Sequence, residues 1–278
     1  MSDIKISIVM AVYNRAKVVE QAISSVVNQT YKNIEFIIID GGSTDGTVDI
    51  IKKYEDKIAY WLSEPDTGIY NALNKGIKHA SGDYIQILGS DDCLHDKHTI
   101  EDVVKELNDL PGMLCCDVVY IKPEHNVEWV RGTNANFLIQ TPNHQGIFVQ
   151  RSLLLRYPFD EKYRIAADYN FMLTCYTDEN VNIKRSSLKV VYYELGGLSG
   201  VREEDFRKEL DLIYLKFSNG TDLRDIYKPS VLKKGIKKVL IKLGLFDAVQ
   251  VFINVQIKKK WRKHYCNNKI CRWCGRKF

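Results

Sequence analysis

The chain has 278 residues, 45% hydrophobic and 27% charged, enough to bury one large core or one core with an appendage. No apolar run approaches the roughly 18 residues of a membrane span, and the opening MSDIKISIVMAVYNR enters a strand directly, without a secretory signal, so a cytoplasmic protein is expected. The net charge of +5 hides an asymmetry: Lys228 to Phe278 holds fifteen Lys or Arg against one acid, Asp247, whereas residues 1–227 hold 25 basic and 34 acidic residues. An acidic body with a basic tail implies a separate partner for the tail, anionic lipid or nucleic acid. No DNA- or RNA-binding motif accompanies the charge, so nucleic acid is set aside. Seven scattered cysteines in a chain without a signal should stay reduced, and no disulfide is assigned.

Ile4 to Tyr13 is β-branched and almost continuously apolar, as expected of a strand covered on both faces. Asn14-Arg15 turns the chain into a helix over Lys17 to Gln29, with Val18, Ala22, Ile23, Val26 and Val27 at helical spacing. Ile34 to Ile39 is a second buried strand, closed by DGGSTDG, where Ser43 or Thr44 is expected to cap the next helix. Ile58 to Leu62 is a third strand, SEPDTG a loop, and Ile69 to Ala80 a helix. Tyr84 to Leu88 is a short apolar strand that stops at Gly89, and a helix follows over Lys97 to Asn108. Met113 to Ile121 and Glu128 to Arg131 are strands, Thr141 to Gln150 a loop feeding a strand, and Ser152 to Tyr157 a short helix. A helix over Asp168 to Tyr176, a strand over Val190 to Glu194 and a helix over Glu203 to Phe217 complete the body. Strands alternating with helices predict parallel pairing through right-handed crossovers.

In such a sheet, ligands bind beyond the carboxyl ends of the strands. The acidic pair Asp91-Asp92, after Ser90, falls there and suits Mg²⁺ or Mn²⁺, which prefer oxygen ligands shared with phosphates; the alternative is a cap for the helix near Lys97. The loop after the first strand is Val12-Tyr13-Asn14-Arg15, not the G-x-G-x-x-G of a dinucleotide site, which argues against a dehydrogenase. A nucleotide is expected to meet backbone groups of Ala11 and Val12, with Asp40 accepting from a pyrimidine N3–H; alternatively Asp40 only caps the Gly-Gly turn.

The blocks SIVMAVYNR, EFIIIDGGSTDGT, SEPDTGIYNALNKGIKHASGDYIQILGSDD, NHQGIFVQR and FDEKYRIAADYNFML resemble the family 2 glycosyltransferases over roughly residues 4–215. The resemblance implies a GT-A fold, a nucleotide-sugar donor and transfer with inversion, closest to non-processive bacterial members that build surface polysaccharides; the processive Q-x-x-R-W signature is absent. It implies that Asp40 binds the base, Asp91 the ribose or metal, and Asp92 the Mn²⁺ or Mg²⁺. The family's D-x-D stands here as Ser90-Asp91-Asp92, which makes Asp92 the preferred metal ligand. Asp66, Asn71, Asn74 and Lys75 would flank the donor, Lys75 being equally readable as a solvated helix face.

An inverting transfer needs one base for the acceptor hydroxyl, while a metal can assist the leaving group. Asp168, in the segment that matches the family's acidic motif, is the candidate base; the alternative is a helix cap. His144 and Gln145 would face the acceptor, in a donor-phosphate, acceptor or metal role, although a lone histidine is more often structural. Arg202, beyond the Gly196–Gly200 loop, would fork onto the diphosphate. In the tail, apolar residues of 230–244 fall on one helical face and lysines on much of the rest, the pattern of an interfacial helix on the inner face of the cytoplasmic membrane, or else of a pair docked on the body. His264, Cys266, Cys271 and Cys274 are residue types zinc accepts, but the spacing is not a recognised finger.

The expected organisation is a mixed, mainly parallel α/β catalytic domain over 1–220, with a nucleotide-binding half (1–95) and an acceptor half (96–220), then a basic extension over 221–278. The expected activity is metal-dependent transfer from a nucleotide sugar, UDP by default, to a glycan or lipid-linked hydroxyl. A non-catalytic sugar-nucleotide-binding or membrane-scaffold protein and a nucleotidyltransferase are the rivals. Oligomeric state is not readable.

Overall fold

The computed structural model describes residues 4–122, 127–132, 137, 141–195, 202–217 and 262–263. Its strands are β1 (Ile6–Val12), β2 (Ile34–Asp40), β3 (Tyr60–Ser63), β4 (Tyr84–Ile87), β5 (Cys93–Leu94), β6 (Met113–Lys122), β7 (Val127–Arg131), β8 (Ile147–Gln150), β9 (Ile183–Glu194) and β10 (Arg262–Lys263). The helices are α1 (Val19–Val27), α2 (Thr47–Lys52), α3 (Ile69–His79), α4 (Thr99–Glu106), α5 (Arg151–Arg156), α6 (Ala167–Thr177) and α7 (Glu203–Phe217).

A parallel nucleus runs β4-β1-β2-β3, with Val9 opposite Ile87 and Val12 opposite Asp40. Beyond β4 the sheet turns antiparallel through β8 to β6, which also pairs antiparallel with β7 and parallel with β9. The period of two along β1 and β2 divides the core. Ile6, Ile8, Met10, Phe36 and Ile38 pack on one face with Ala22, Ile23 and Val26 of α1. Val9, Ile37 and Ile39 pack on the other with Leu73 and Ile77 of α3, and α6 joins that face. Fully burying such a side chain contributes about 1.5–3 kcal/mol, so both faces of the nucleus are well supported. Gly76 lets α3 lie close: a Cβ there would sit 2.5 Å from Val9 Cγ1.

At the amino ends of these strands, Glu35 accepts from Ser7 Oγ (2.6 Å), Ser81 N (2.7 Å), Ser81 Oγ (2.7 Å) and Lys5 Nζ (3.0 Å), tying β1, β2 and the start of β4. Burial alone would raise the Glu35 pKa, but these donors outweigh it and hold the carboxyl at about 2.

Three local expectations change. Neither Ser43 nor Thr44 caps α2; Gly46 precedes it in a left-handed conformation, φ 98°, and Asp45 accepts from Thr47 N at 3.0 Å. The last strand of the body begins at Ile183, seven residues early, because its first half pairs in parallel with β6 across a register shift. β5, which is only two residues long, forms by pairing with that strand. The Gly196–Gly200 loop, the helical pattern at 230–244 and the terminal His/Cys group lie outside the described residues. Among those described, no helix is long and apolar enough to cross a membrane. Cys93, Cys115, Cys116 and Cys175 are buried and form no disulfide, and burial pushes the Cys115 and Cys175 thiols up to about 12.

Candidate active site

The carboxyl ends of β1, β2 and β4 converge with the turn before β8 and the start of α6. The turn after β1 places Asn14 at φ 51° and is stitched to the turn after β2. Asn14 N donates to Ser43 Oγ (2.7 Å), Arg15 N to Thr47 Oγ1 (2.8 Å), and Thr44 N to Asn14 Oδ1 (3.0 Å). Val12 O accepts from Gly41 N at 2.9 Å, while Ala11 is half-buried and Tyr13 and Arg15 are exposed.

Asp40 is fully buried. Its Oδ2 accepts from Gly42 N (3.1 Å), Ser43 N (2.9 Å) and Ser63 Oγ (2.6 Å), and its Oδ1 from Ser43 Oγ. The expected contact with a pyrimidine is therefore corrected: this carboxylate is consumed in holding the turn, the alternative the sequence had left open.

The acidic pair divides opposite to expectation. Asp92 is 1% exposed; its Oδ2 accepts from Gln145 Nε2 and its Oδ1 from Glu194 N at 2.8 Å. Gln145 Oε1 in turn accepts from Gly89 N (2.6 Å), which fixes the orientation of the Gln145 amide. Asp92, the preferred metal ligand on sequence grounds, is thus a buried brace, and the half-buried Asp91 presents the more accessible carboxylate. Neither caps a helix, since α4 starts at Thr99 on the Asp96 turn, where Asp96 Oδ1 accepts from His98 N at 2.7 Å. Ser90 is buried.

Gly89 leaves no room for a side chain: a Cβ there would meet Asp92 Oδ2 and lie 2.6 Å from Gln145 Nε2 and 3.2 Å from Asp91 Oδ1, so the pair closes directly over its backbone. Among the described residues no three His, Cys, Asp or Glu gather into a self-sufficient metal site. One accessible carboxylate, Asp91, does fit Mg²⁺ or Mn²⁺ whose remaining ligands are water and phosphate.

The second half of the site turns on a single 3₁₀ turn, His144–Gly146, pinned from below by Gln86 Nε2 donating to Gln145 O (2.8 Å). Asn143 Oδ1 closes it by accepting from Gln145 N at 2.9 Å. His144 Nδ1 lies 2.8 Å from Asp168 Oδ2, and Tyr70 Oη lies 2.7 Å from Asp168 Oδ1 and from Ile165 O. Asp168 is the second residue of α6, and Ala166 occupies the cap without a side-chain bond, so the capping alternative falls away. Burial opposes ionisation of Asp168, but the His144 charge and hydrogen bonds from His144, Tyr70 and the Tyr169 N–H prevail and hold its pKa below the ordinary value. Burial and the Asp168 charge push the Tyr70 phenol well up, so it stays a donor. Side-chain exposures of 34% for His144 and 17% for Asp168 leave the pair within reach of a substrate.

The remaining candidates serve the protein. Asn71 Nδ2 donates to Glu161 (3.1 Å), and Asn74 exchanges bonds with Phe159, so both hold the approach to α6. Lys75 pairs with Glu64 at 2.6 Å, and Arg202 forks onto Asp205 at 2.8 and 3.1 Å, where a diphosphate contact was expected. Tyr70 and Glu209 escaped the sequence reading. Glu209 accepts from three successive amides, Arg164 (2.7 Å), Ile165 (2.9 Å) and Ala166 (2.9 Å), and so clamps the segment leading to Asp168. In sequence Tyr70 stood only inside the helix expected over Ile69 to Ala80.

The family model described as "Glycosyl transferase family 2" matches residues 7–188. A mycobacterial relative, the PGL/p-HBAD biosynthesis glycosyltransferase of Mycobacterium bovis, is 30% identical over 217 residues, covering 74% of this chain and 84% of the relative. The S. aureus TarS 1–349 structure in complex with UDP-GlcNAc superposes with a TM-score of 0.62 at 21% identity, covering 78% of this chain and 67% of TarS 1–349. The mannosyltransferase PcManGT from Pyrobaculum calidifontis, solved with GDP-Man and Mn²⁺, gives 0.61 at 16% identity, covering 91% and 84%. These likenesses match the mixed α/β sheet and flanking helices described above to the GT-A fold. The chain belongs to glycosyl transferase family 2.

Proposed function

We propose that the enzyme transfers a sugar, with inversion, from a nucleoside-diphosphate donor to a hydroxyl of a glycan or lipid-linked acceptor in surface-glycan assembly. The observation that carries this reading is the adjacency of His144 and Gln145. One contacts Asp168 and the next contacts Asp92, so a single turn joins a base to the end of the strand that bears Asp91.

Asp168 is the residue that takes the acceptor proton. His144 and Tyr70 hold its carboxylate ionised and oriented, as a base facing a developing oxocarbenium centre requires. The acceptor oxygen bonds to the anomeric carbon as the bond from that carbon to the diphosphate breaks on the opposite face, which inverts the centre. Asp91 would hold Mn²⁺ or Mg²⁺, whose chemistry is to stabilise the negative charge on the departing diphosphate. Gln145 and Glu194 keep Asp92 buried so that Gly89 and Asp91 stay in register.

TarS was solved with UDP-GlcNAc, which supports a uridine donor, and the mycobacterial relative is named for PGL/p-HBAD biosynthesis, which supports a role in assembling a glycosylated product. The test is nucleoside-diphosphate release and product formation from a panel of sugar nucleotides with Mn²⁺ and lipid-linked acceptors, with the anomeric configuration read by NMR. Retention of configuration, or no release with any donor, would sink the proposal.

The basic segment 228–278 would hold the enzyme on the inner leaflet, each Lys or Arg near an anionic surface contributing about 1 kcal/mol. Co-sedimentation with phosphatidylserine vesicles, and its loss at high salt or on removal of residues 228–278, is the corresponding measurement.

A further inference from the structure

We infer that Asp66, in place of Asp40, reads the donor's nucleobase by accepting the ring imino N–H that uracil, thymine and guanine carry and cytosine lacks. The inference rests on the nucleotide-sugar reading above and adds the base-recognising residue to it.

Asp40 is unavailable, because four donors already occupy it inside the fold. The next position is Gly41, and its missing side chain is informative. A Cβ on Gly41 would lie 2.5 Å from Asp66 Oδ2 and 3.5 Å from Tyr13 Cδ2. The carboxylate of Asp66 therefore fills the space that a residue-41 side chain would have occupied, at the carboxyl end of β2.

The loops that bring it there are seated on one another. Glu64 N donates to Asp40 O at 3.0 Å, and Gly42, at φ 84°, has room for a Cβ only 3.3 Å from Pro65 N. Within its own loop, Asp66 Oδ1 accepts from Gly68 N at 2.8 Å, which leaves Oδ2 over Gly41. Tyr13 stands beside it, 60% exposed despite its size. An exposed aromatic face next to an acceptor-only carboxylate suits a planar base: the ring stacks, and the carboxylate selects for a donor on the base edge.

The arrangement makes a polarity prediction. Cytosine presents a lone pair at N3 where uracil presents N–H, so a carboxylate repels it. In Asp66→Asn the Gly68 N–H keeps the amide oxygen where Oδ1 now lies, so the new NH₂ takes the place of Oδ2. That donor opposes uracil and matches cytosine.

Isothermal titration of the full chain with UDP, dTDP, GDP and CDP, Mn²⁺ present, tests this. Whichever imino-bearing diphosphate binds wild type tightest is expected to outbind CDP by at least about tenfold, a charged hydrogen bond being at stake. Asp66→Asn should weaken that nucleotide about 10- to 100-fold and invert its ratio to CDP. Asp66→Ala should weaken it similarly while tightening CDP, since the repulsion at N3 goes with the carboxylate, and serves if the Asn variant fails to fold by thermal melt. Wild-type binding with an unaltered nucleotide-to-CDP ratio in either folded variant overturns the role of Asp66 alone. Wild type that binds no nucleoside diphosphate overturns the donor reading beneath it.

Discussion

Asp92→Asn preserves shape and volume but converts one acceptor into a donor, where two donors already point at the carboxylate. Gln145 Nε2 points at one oxygen and Glu194 N–H at the other, so either orientation of the new amide brings two N–H groups together. Gln145 cannot turn over to help, because its Oε1 already accepts from Gly89 N at 2.6 Å. The change removes one charge-assisted bond and leaves a buried unmatched donor at a site 1% exposed. Together these cost about 2–4 kcal/mol. At about 2–4 °C per kcal/mol for a domain of this size, the melting temperature should fall by about 5–15 °C. Asp91→Asn, on a half-buried carboxylate, should change stability by less than about 1 kcal/mol yet abolish Mn²⁺-stimulated transfer. Differential scanning fluorimetry of both variants, paired with a Mn²⁺ titration of sugar transfer, separates brace from ligand. An Asp92→Asn protein that melts like wild type, or an Asp91→Asn protein with full metal-stimulated activity, would refute the division.

Asp168→Asn should lower kcat by about 10²- to 10⁴-fold with nucleotide affinity intact. Because the Asp168 pKa is depressed on folding, its stabilising contribution is present above about pH 4 and is lost as pH falls through the native value, so the variant should show a flatter acid limb in stability-versus-pH curves. Glu35→Gln acts at the other end of the sheet. Its carboxyl, held at about 2 against 4.5, contributes at most about 3 kcal/mol that is complete above about pH 4.5 and lost between there and about pH 2. Urea unfolding at pH 7 should show that loss in the variant, without loss of per-molecule activity. In Gly146→Ala a Cβ would meet Cys116 O and Val118 Cγ2 at 2.7 Å each, displacing the His144 turn; kcat should fall at least about tenfold, with a stability loss of about 1–3 kcal/mol in the same melts.

The parallel nucleus was legible because strands covered on both faces write continuous apolar runs, and β1, β2 and β4 do so. The antiparallel wing was harder. β5 is two residues that exist as a strand only through a partner about a hundred positions away, and the first half of β9 is partly exposed and polar in sequence. The carboxylates were legible as a set and illegible as individuals. Asp91 and Asp92 are identical in chemistry and adjacent in sequence; what sets Asp92 apart is that Gln145 and Glu194, far along the chain, reach it inside the fold. Asp40 misled for the same reason, since the serines that occupy it come from its own turn and from β3. Tyr70 lies 98 positions from Asp168, a pairing that α3 and α6 create and no local pattern announces.

His144 and Gln145 are consecutive, so their Cα atoms are about 3.8 Å apart whatever else the molecule does. In the proposed reaction, the separation between the proton-accepting side and the leaving-group side is therefore tied to one peptide unit, not to the relative placement of two separately mobile elements. Loops on either side can lengthen, shorten or change sequence to admit a different acceptor while that spacing persists. A change inside 143–146 disturbs both sides at once. Diversification of substrate in such a scaffold is then channelled outward, into the segments around the turn, and the turn itself behaves as a fixed ruler for the reaction.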